Sequence, residues 1–180
     1  MTGLASIARR IDGFSDFVGK YVSWLALVMV LVQFAVVLAR YVFGIGSIAV
    51  QETIIYSHAL LFMLGSAYTL LHGGHVRVDI FYADTTPKTK AIIDALGTLF
   101  FLIPVCLVIL LLSWSYVAKS WEILEISRET SGIPFVYGLK TVIVIFCGMM
   151  ILQGISTILH SILILTGHEK PHEEEKLEVI

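Results

Sequence analysis

Charged residues in this chain cluster at intervals, separated by four long stretches that contain none. Residues 21–39 lie between Lys20 and Arg40, and 53–71 run uncharged from Glu52 toward Arg77. Residues 95–118 lie between Asp94 and Lys119, and 141–166 run from Lys140 toward Glu169. A hydrocarbon core about 30 Å thick needs roughly 20 apolar residues at 1.5 Å rise each, and each stretch meets that length. None alternates in polarity as the strands of a membrane barrel do. Lipid offers no water to an open backbone, so helix is the form these segments must take. The pattern predicts an all-α integral membrane protein with four transmembrane helices.

Composition sharpens this reading. Of 180 residues 57% are hydrophobic and 14% charged, roughly half the charge of an ordinary soluble domain. The first stretch is too long for a secretory signal core of about 7–15 residues, although Val37-Leu38-Ala39 resembles a cleavage site. Arg40 reads as a stop flank, so the helix is expected to be retained. Arg9, Arg10, Lys20, Arg77, Lys88, Lys90, Lys170 and Lys176 fall on one side of the membrane, against Arg40, Lys119, Arg128 and Lys140 on the other. That bias predicts both termini in the cytoplasm. Cys106 and Cys147 both fall inside predicted spans, where no disulfide framework is implied. A net charge of −2 without a basic patch gives no sign of nucleic-acid binding.

Three regions follow: an amphipathic cytoplasmic segment at 1–20, a four-helix membrane domain at 21–166, and an acidic, disordered cytoplasmic tail at 167–180. In the first, Leu4, Ile7, Ile11, Phe14 and Val18 recur at helical spacing. Such a helix either lies on the membrane surface or packs on the protein itself. Gly44-Ile45-Gly46-Ser47 breaks the chain between the first two spans, making them antiparallel neighbours. Gly73-Gly74 marks a helix stop, and Thr85-Thr86-Pro87 the start of the next helix. Helical composition then continues from Lys88 to Glu129 before Ser131, Gly132 and Pro134. A helix of that length would extend about 60 Å and must tilt or bend, with Pro104 the expected bend. Trp24, Trp114 and Trp121 suit the membrane interfaces.

Histidines inside the spans are the first candidates for chemistry. His58 and His160 on a four-helix bundle raise the thought of haem. From their positions in the spans, however, they differ by about 13 Å in depth, too far to share one iron. Packing roles fit each better. His72 and His75 are three apart, yet beyond Asp79 they lack further ligands at metal-site spacing. On the fourth span Cys147, Gly154 and Ser161 recur every seven residues beside Gln153, Thr157 and His160. Small and polar residues on one face let helices approach closely, so that face should look at protein. Arg40 and Glu52 flank the first turn and could pair across it. No span carries an acid, lysine or arginine near its centre, no helix pair is interrupted as in transporters with a midplane site, and no catalytic arrangement occurs. The residues point to a membrane scaffold or partner subunit and not to an enzyme.

An ordered set of short motifs adds a family resemblance. It consists of Arg40-Tyr41-Val42-Phe43, Gln51-Glu52, Gly73-Gly74-His75-Val76-Arg77-Val78-Asp79, and Ser127-Arg128-Glu129 with Ile133-Pro134 and Lys140. Over roughly residues 10–165 the chain resembles the small membrane subunit of tripartite ATP-independent periplasmic (TRAP) transporters. It departs from the pattern at Ala49-Val50-Gln51-Glu52, where many members have a tryptophan and two acids. The resemblance implies a multi-pass protein of the bacterial inner membrane without cofactor or metal. Its partners would be a large TRAP permease subunit, which it braces during sodium-coupled uptake of organic acids, and a periplasmic substrate-binding protein that delivers them. It also singles out Arg40, Glu52, His75, Arg77 and Asp79 as structural or partner-interface positions. Two rival functions stand beside it: a haem-bearing anchor of a respiratory enzyme, which the depths of His58 and His160 speak against, and a small transporter acting by itself, which the lack of intramembrane charge speaks against.

Overall fold

The computed structural model describes residues 2–76 and 85–169. They form helices α1 (Thr2–Phe43), α2 (Ile48–Leu71), α3 (Pro87–Gly97), a π-helical turn (Thr98–Leu102), α4 (Ile103–Glu122) and α5 (Val136–Leu165). Because α3, the π turn and α4 run on as one 36-residue rod, four helices are long and apolar enough to cross a membrane. The all-α, four-span architecture read from the charge-free stretches is thus the observed one.

Helix α1 is continuous for 42 residues, so the boundary expected at residue 20 falls within it. Its first turns pack on the protein through Ala8 and Ser15, which are buried. Gly19 faces Tyr68 of α2 so closely that any β-carbon would collide with that ring.

Helix ends follow from local chemistry. The Thr86 hydroxyl accepts the Thr89 N–H at 3.3 Å, with Pro87 in the first turn, to start α3. Gly44, Gly73 and Gly167 take left-handed backbone just after α1, α2 and α5, where L-residues are disfavoured. At the end of α4 the same position is Leu124, with φ of 44°. There the Leu124 N–H bonds the Trp121 carbonyl at 3.2 Å and the Glu125 N–H bonds the Ser120 carbonyl at 3.0 Å. This closure stops the rod at Glu122, seven residues before the Glu129 expected from composition. Short-range polar contacts of Glu125 and Ser127 organise the chain beyond it.

Pro104 acts through the turn that precedes it. The Ile103 N–H reaches back to the Thr98 carbonyl, a wider ring than the α-helical one. That widening makes room for a proline ring that would otherwise press on the carbonyl four residues earlier. Gly154 of α5 lies directly against this turn, since a β-carbon there would sit 3.0 Å from Leu102 Cδ2 and Thr98 Cγ2.

Helix α5 is the hub, contacting α1, α2, α3, the π turn and α4. Cys147, Gly154 and Ser161, the seven-residue stripe, are all buried in these contacts. Ala67, Cys106, Met149 and Met150 form the apolar core, with Val18, Leu102 and Phe146 packed around it. By contrast the most apolar window of α1 is 0% buried, against 39% for α5. The outer face of α1 is left for surroundings as apolar as itself.

Candidate functional site

Polar contacts gather into two clasps at opposite ends of the bundle. At the turn end, Glu52 projects from the first turns of α2 toward the segment joining α4 to α5. Its Oε1 accepts the Ser127 hydroxyl, and its Oε2 accepts the Ile133 backbone N–H at 2.5 Å. Ser127 Oγ in turn accepts the Glu129 N–H at 3.2 Å. Gly132 lies so close to Glu52 and Ser127 that a side chain there would displace one of them.

A second acid anchors the same segment from the α4 side. Glu125 Oε2 accepts from Lys140 Nζ at 2.5 Å and from the Ser120 hydroxyl at 2.7 Å. The Lys140 ammonium, and after it the Ser120 hydroxyl, hold the Glu125 carboxyl below its ordinary value. Lys140 also lies 3.9 Å from the centre of the Tyr116 ring, a favourable place for a cation. Trp121 completes the arrangement by donating its indole N–H to Thr141 Oγ1 at 2.8 Å.

At the other end, Asp12 of α1 reaches α5 across 148 positions of sequence. Asp12 Oδ1 accepts from Ser156 Oγ at 2.6 Å and from Gln153 Nε2 at 3.0 Å. Asp12 Oδ2 lies 2.8 Å from His160 Nε2, while His160 Nδ1 lies 2.7 Å from Glu169 Oε2. An imidazolium satisfies both carboxylates, whereas a neutral ring donates to only one. Gln153 and Ser156 are buried, at 2% and 0% exposure, so this network ties the start of α1 to the end of α5 inside the protein. Nearby, Asp16 pairs with Lys20 at 2.6 Å and meets His72 at 3.2 Å.

The structure distributes the sequence-derived candidates and does not assemble them. Glu52 is the centre of one clasp. The pairing with Arg40 anticipated from the sequence is absent: Glu52 spends both oxygens on the 127–133 segment, and Arg40 is exposed at the end of α1. His75 is exposed beyond the far end of α2, whose last residue, Leu71, lies about 29 Å along the helix axis from Glu52. Arg77 and Asp79 lie outside the described residues, as does the acidic tail from residue 170. Gly167, His168 and Glu169 do fold back on α5, the His168 N–H bonding the Leu163 carbonyl at 2.9 Å. His58 is exposed and rests on Phe62, ring centres 6.1 Å apart, while His160 is committed to two carboxylates.

Asp12, Glu125 and Glu169 were not singled out from the sequence. Their partners are a histidine, one amide, two hydroxyls and a lysine, and no spacing rule links such residues across a fold. The only available signal was the polar stripe on α5, whose Gln153 and His160 required some partner once buried.

Comparison with known families adds one match. A family model described as "Tripartite ATP-independent periplasmic transporters, DctQ component" matches residues 29–163. No curated protein and no solved structure matches the chain.

Proposed function

Because the chain belongs to the DctQ component family of tripartite ATP-independent periplasmic transporters, we propose that this small permease component braces a large transport subunit in the bacterial inner membrane. The large subunit would carry organic acids inward, coupled to sodium, after delivery by a periplasmic binding protein. With eight basic residues against four, the positive-inside rule puts the Asp12 clasp and both termini in the cytoplasm. The Glu52 clasp then faces the periplasm.

One observation carries this reading: the Glu52 and Glu125 ties close one end of the bundle, the Asp12 tie reaches in from the other as far as Gln153, and Ala67, Cys106, Met149 and Met150 pack between them. A protein that moved an anion by itself would need polar or charged groups at mid-depth to hold it. The four spans carry no acid, lysine or arginine to do so. End-tied helices around a close-packed middle suit a rigid neighbour for a moving partner. Arg40, His75, Arg77 and Asp79 are the further positions at which this chain would engage that partner or stabilise its own loops.

Affinity capture in mild detergent tests the proposal. The tagged chain, co-expressed with the large subunit and the binding protein, is expected to retain the large subunit in stoichiometric amount. Reconstituted vesicles should accumulate organic acid down a sodium gradient only when all three are present. Capture of this chain alone, or uptake by this chain alone, would overturn it.

A further inference from the structure

His58 is an ionisable side chain pointing away from its own bundle in the middle of a membrane-length helix. It stands ten residues from the start of α2 at Ile48, about 15 Å along the axis. Its ring rests on Phe62, and its nitrogens make no hydrogen bond to the described residues. Ile55 and Phe62, at spacings of three and four on the same face, are 59% and 74% exposed. Gly65 continues that face, and a β-carbon built there meets nothing within 4 Å. Gln33 of α1 is also exposed, ten residues from the α1 end at Phe43. The α1–α2 hairpin therefore shows hydrogen-bonding side chains at one depth.

The outer face of α4 differs. Between Val105 and Leu112 it presents hydrocarbon alone, with Leu111 and Leu112 73% and 75% exposed. That face is matched by lipid. An imidazole turned into acyl chains has lost water and gained no partner, a cost that intramembrane histidines avoid by facing protein. From this contrast we infer that the α2 face formed by Ile55, His58, Phe62 and Gly65 is where the large permease subunit docks. The occupant is a transmembrane helix that offers His58 a hydrogen-bonding side chain and approaches closely over Gly65. Spacing of i, i+3, i+7 and i+10 gives one helix a continuous seam to follow, and open space at the glycine lets backbones come near. The inference rests on the proposed role as a partner of the large subunit and assigns that role a surface.

Site-specific photo-crosslinking in membranes, with the large subunit co-expressed, tests the surface. A benzophenone amino acid at Phe62 should yield an adduct with the large subunit at least fivefold above the same probe at Leu112 on α4. His58→Leu, an exposed change that leaves the fold intact, should weaken retention of the large subunit roughly threefold to fifteenfold, the range of single interhelical hydrogen bonds in membranes. His58→Gln, which keeps a donor and an acceptor, should stay within twofold of the wild type. Equal adducts at the two probe positions, or full retention by His58→Leu, would overturn the docking face while leaving the family role intact. A wild-type chain that retains no large subunit overturns both.

Discussion

Removing the Asp12 carboxylate tests how the two ends of the chain are held together. In Asp12→Ala three donors lose their acceptor at once. The Gln153 amide, 2% exposed, keeps no described replacement, and its Oε1 is already buried without a partner. An orphaned buried donor costs about 1–3 kcal/mol. Ser156 loses less, since its hydroxyl also reaches the Ala8 carbonyl at 3.3 Å. His160 keeps Glu169 but loses one of two charged acceptors, a loss of about 1 kcal/mol where both partners are part-exposed. Together these predict a destabilisation of about 3 kcal/mol, with Asp12→Asn losing roughly half as much because it keeps one acceptor oxygen. Reversible unfolding in mixed detergent micelles, followed by tryptophan fluorescence, measures the difference. Amide exchange over residues 5–18 should rise in parallel as the start of α1 detaches. A double-mutant cycle with Gln153→Ala should return a coupling of about 1 kcal/mol. A stability within 0.5 kcal/mol of wild type for Asp12→Ala, no larger than the exposed control Arg10→Ala, refutes the reasoning.

Further expectations concern the turn end. Glu52→Ala frees the 127–133 segment from two hydrogen bonds to a part-exposed carboxylate, a loss of about 2 kcal/mol, and limited proteolysis should begin cutting at Arg128. Leu124→Gly relieves a left-handed leucine at the end of α4 and should raise stability by about 1 kcal/mol; a lower unfolding midpoint would show that leucine packing outweighs the backbone term. Glu125 is held below its ordinary carboxyl value of 4.5 by Lys140 first and Ser120 second. A depressed carboxyl contributes stability that is full above the ordinary value and lost as pH falls through the lowered one. Trp121 fluorescence should therefore hold steady at neutral pH and change only below about pH 4.5, a transition that Lys140→Gln moves upward.

The spans were legible because exclusion of charge from lipid acts residue by residue, and 21–39 or 141–166 needs no tertiary context to be recognised. Helix stops were legible wherever a glycine supplied the left-handed position, as at Gly73. Leu124 carries no such mark, so the rod was expected to run on to Glu129. Likewise the π turn was hidden: Pro104 announces a disturbance but not whether the helix kinks or widens. The clasps were the least visible. Glu52 stood out as a motif residue, yet its natural partner by proximity in sequence was Arg40, and only the fold brings Ser127 and Ile133 within reach. In the sequence Asp12 is one polar position among several in the first helix, because the buried amide and the part-buried histidine that need it lie more than a hundred residues away.

How these ties are placed bears on what the bundle resists. Apolar packing between helices in lipid lacks a strong hydrophobic drive, since acyl chains are as apolar as leucine. Sliding one helix along another therefore costs little in the middle of the bundle unless something fixes the ends. Here Asp12 fixes α1 to α5 at one end, and at the other Glu52 fixes α2 to the segment between α4 and α5. Glu125 and Lys140 fix α4 to α5 at that same end. Each tie opposes sliding along an axis, while Gly19 and Gly154 set separations that van der Waals contact alone maintains. The outward faces of α1, α2 and α4 are thereby held in fixed relation. A docking seam on α2 has value to a moving neighbour only under that condition.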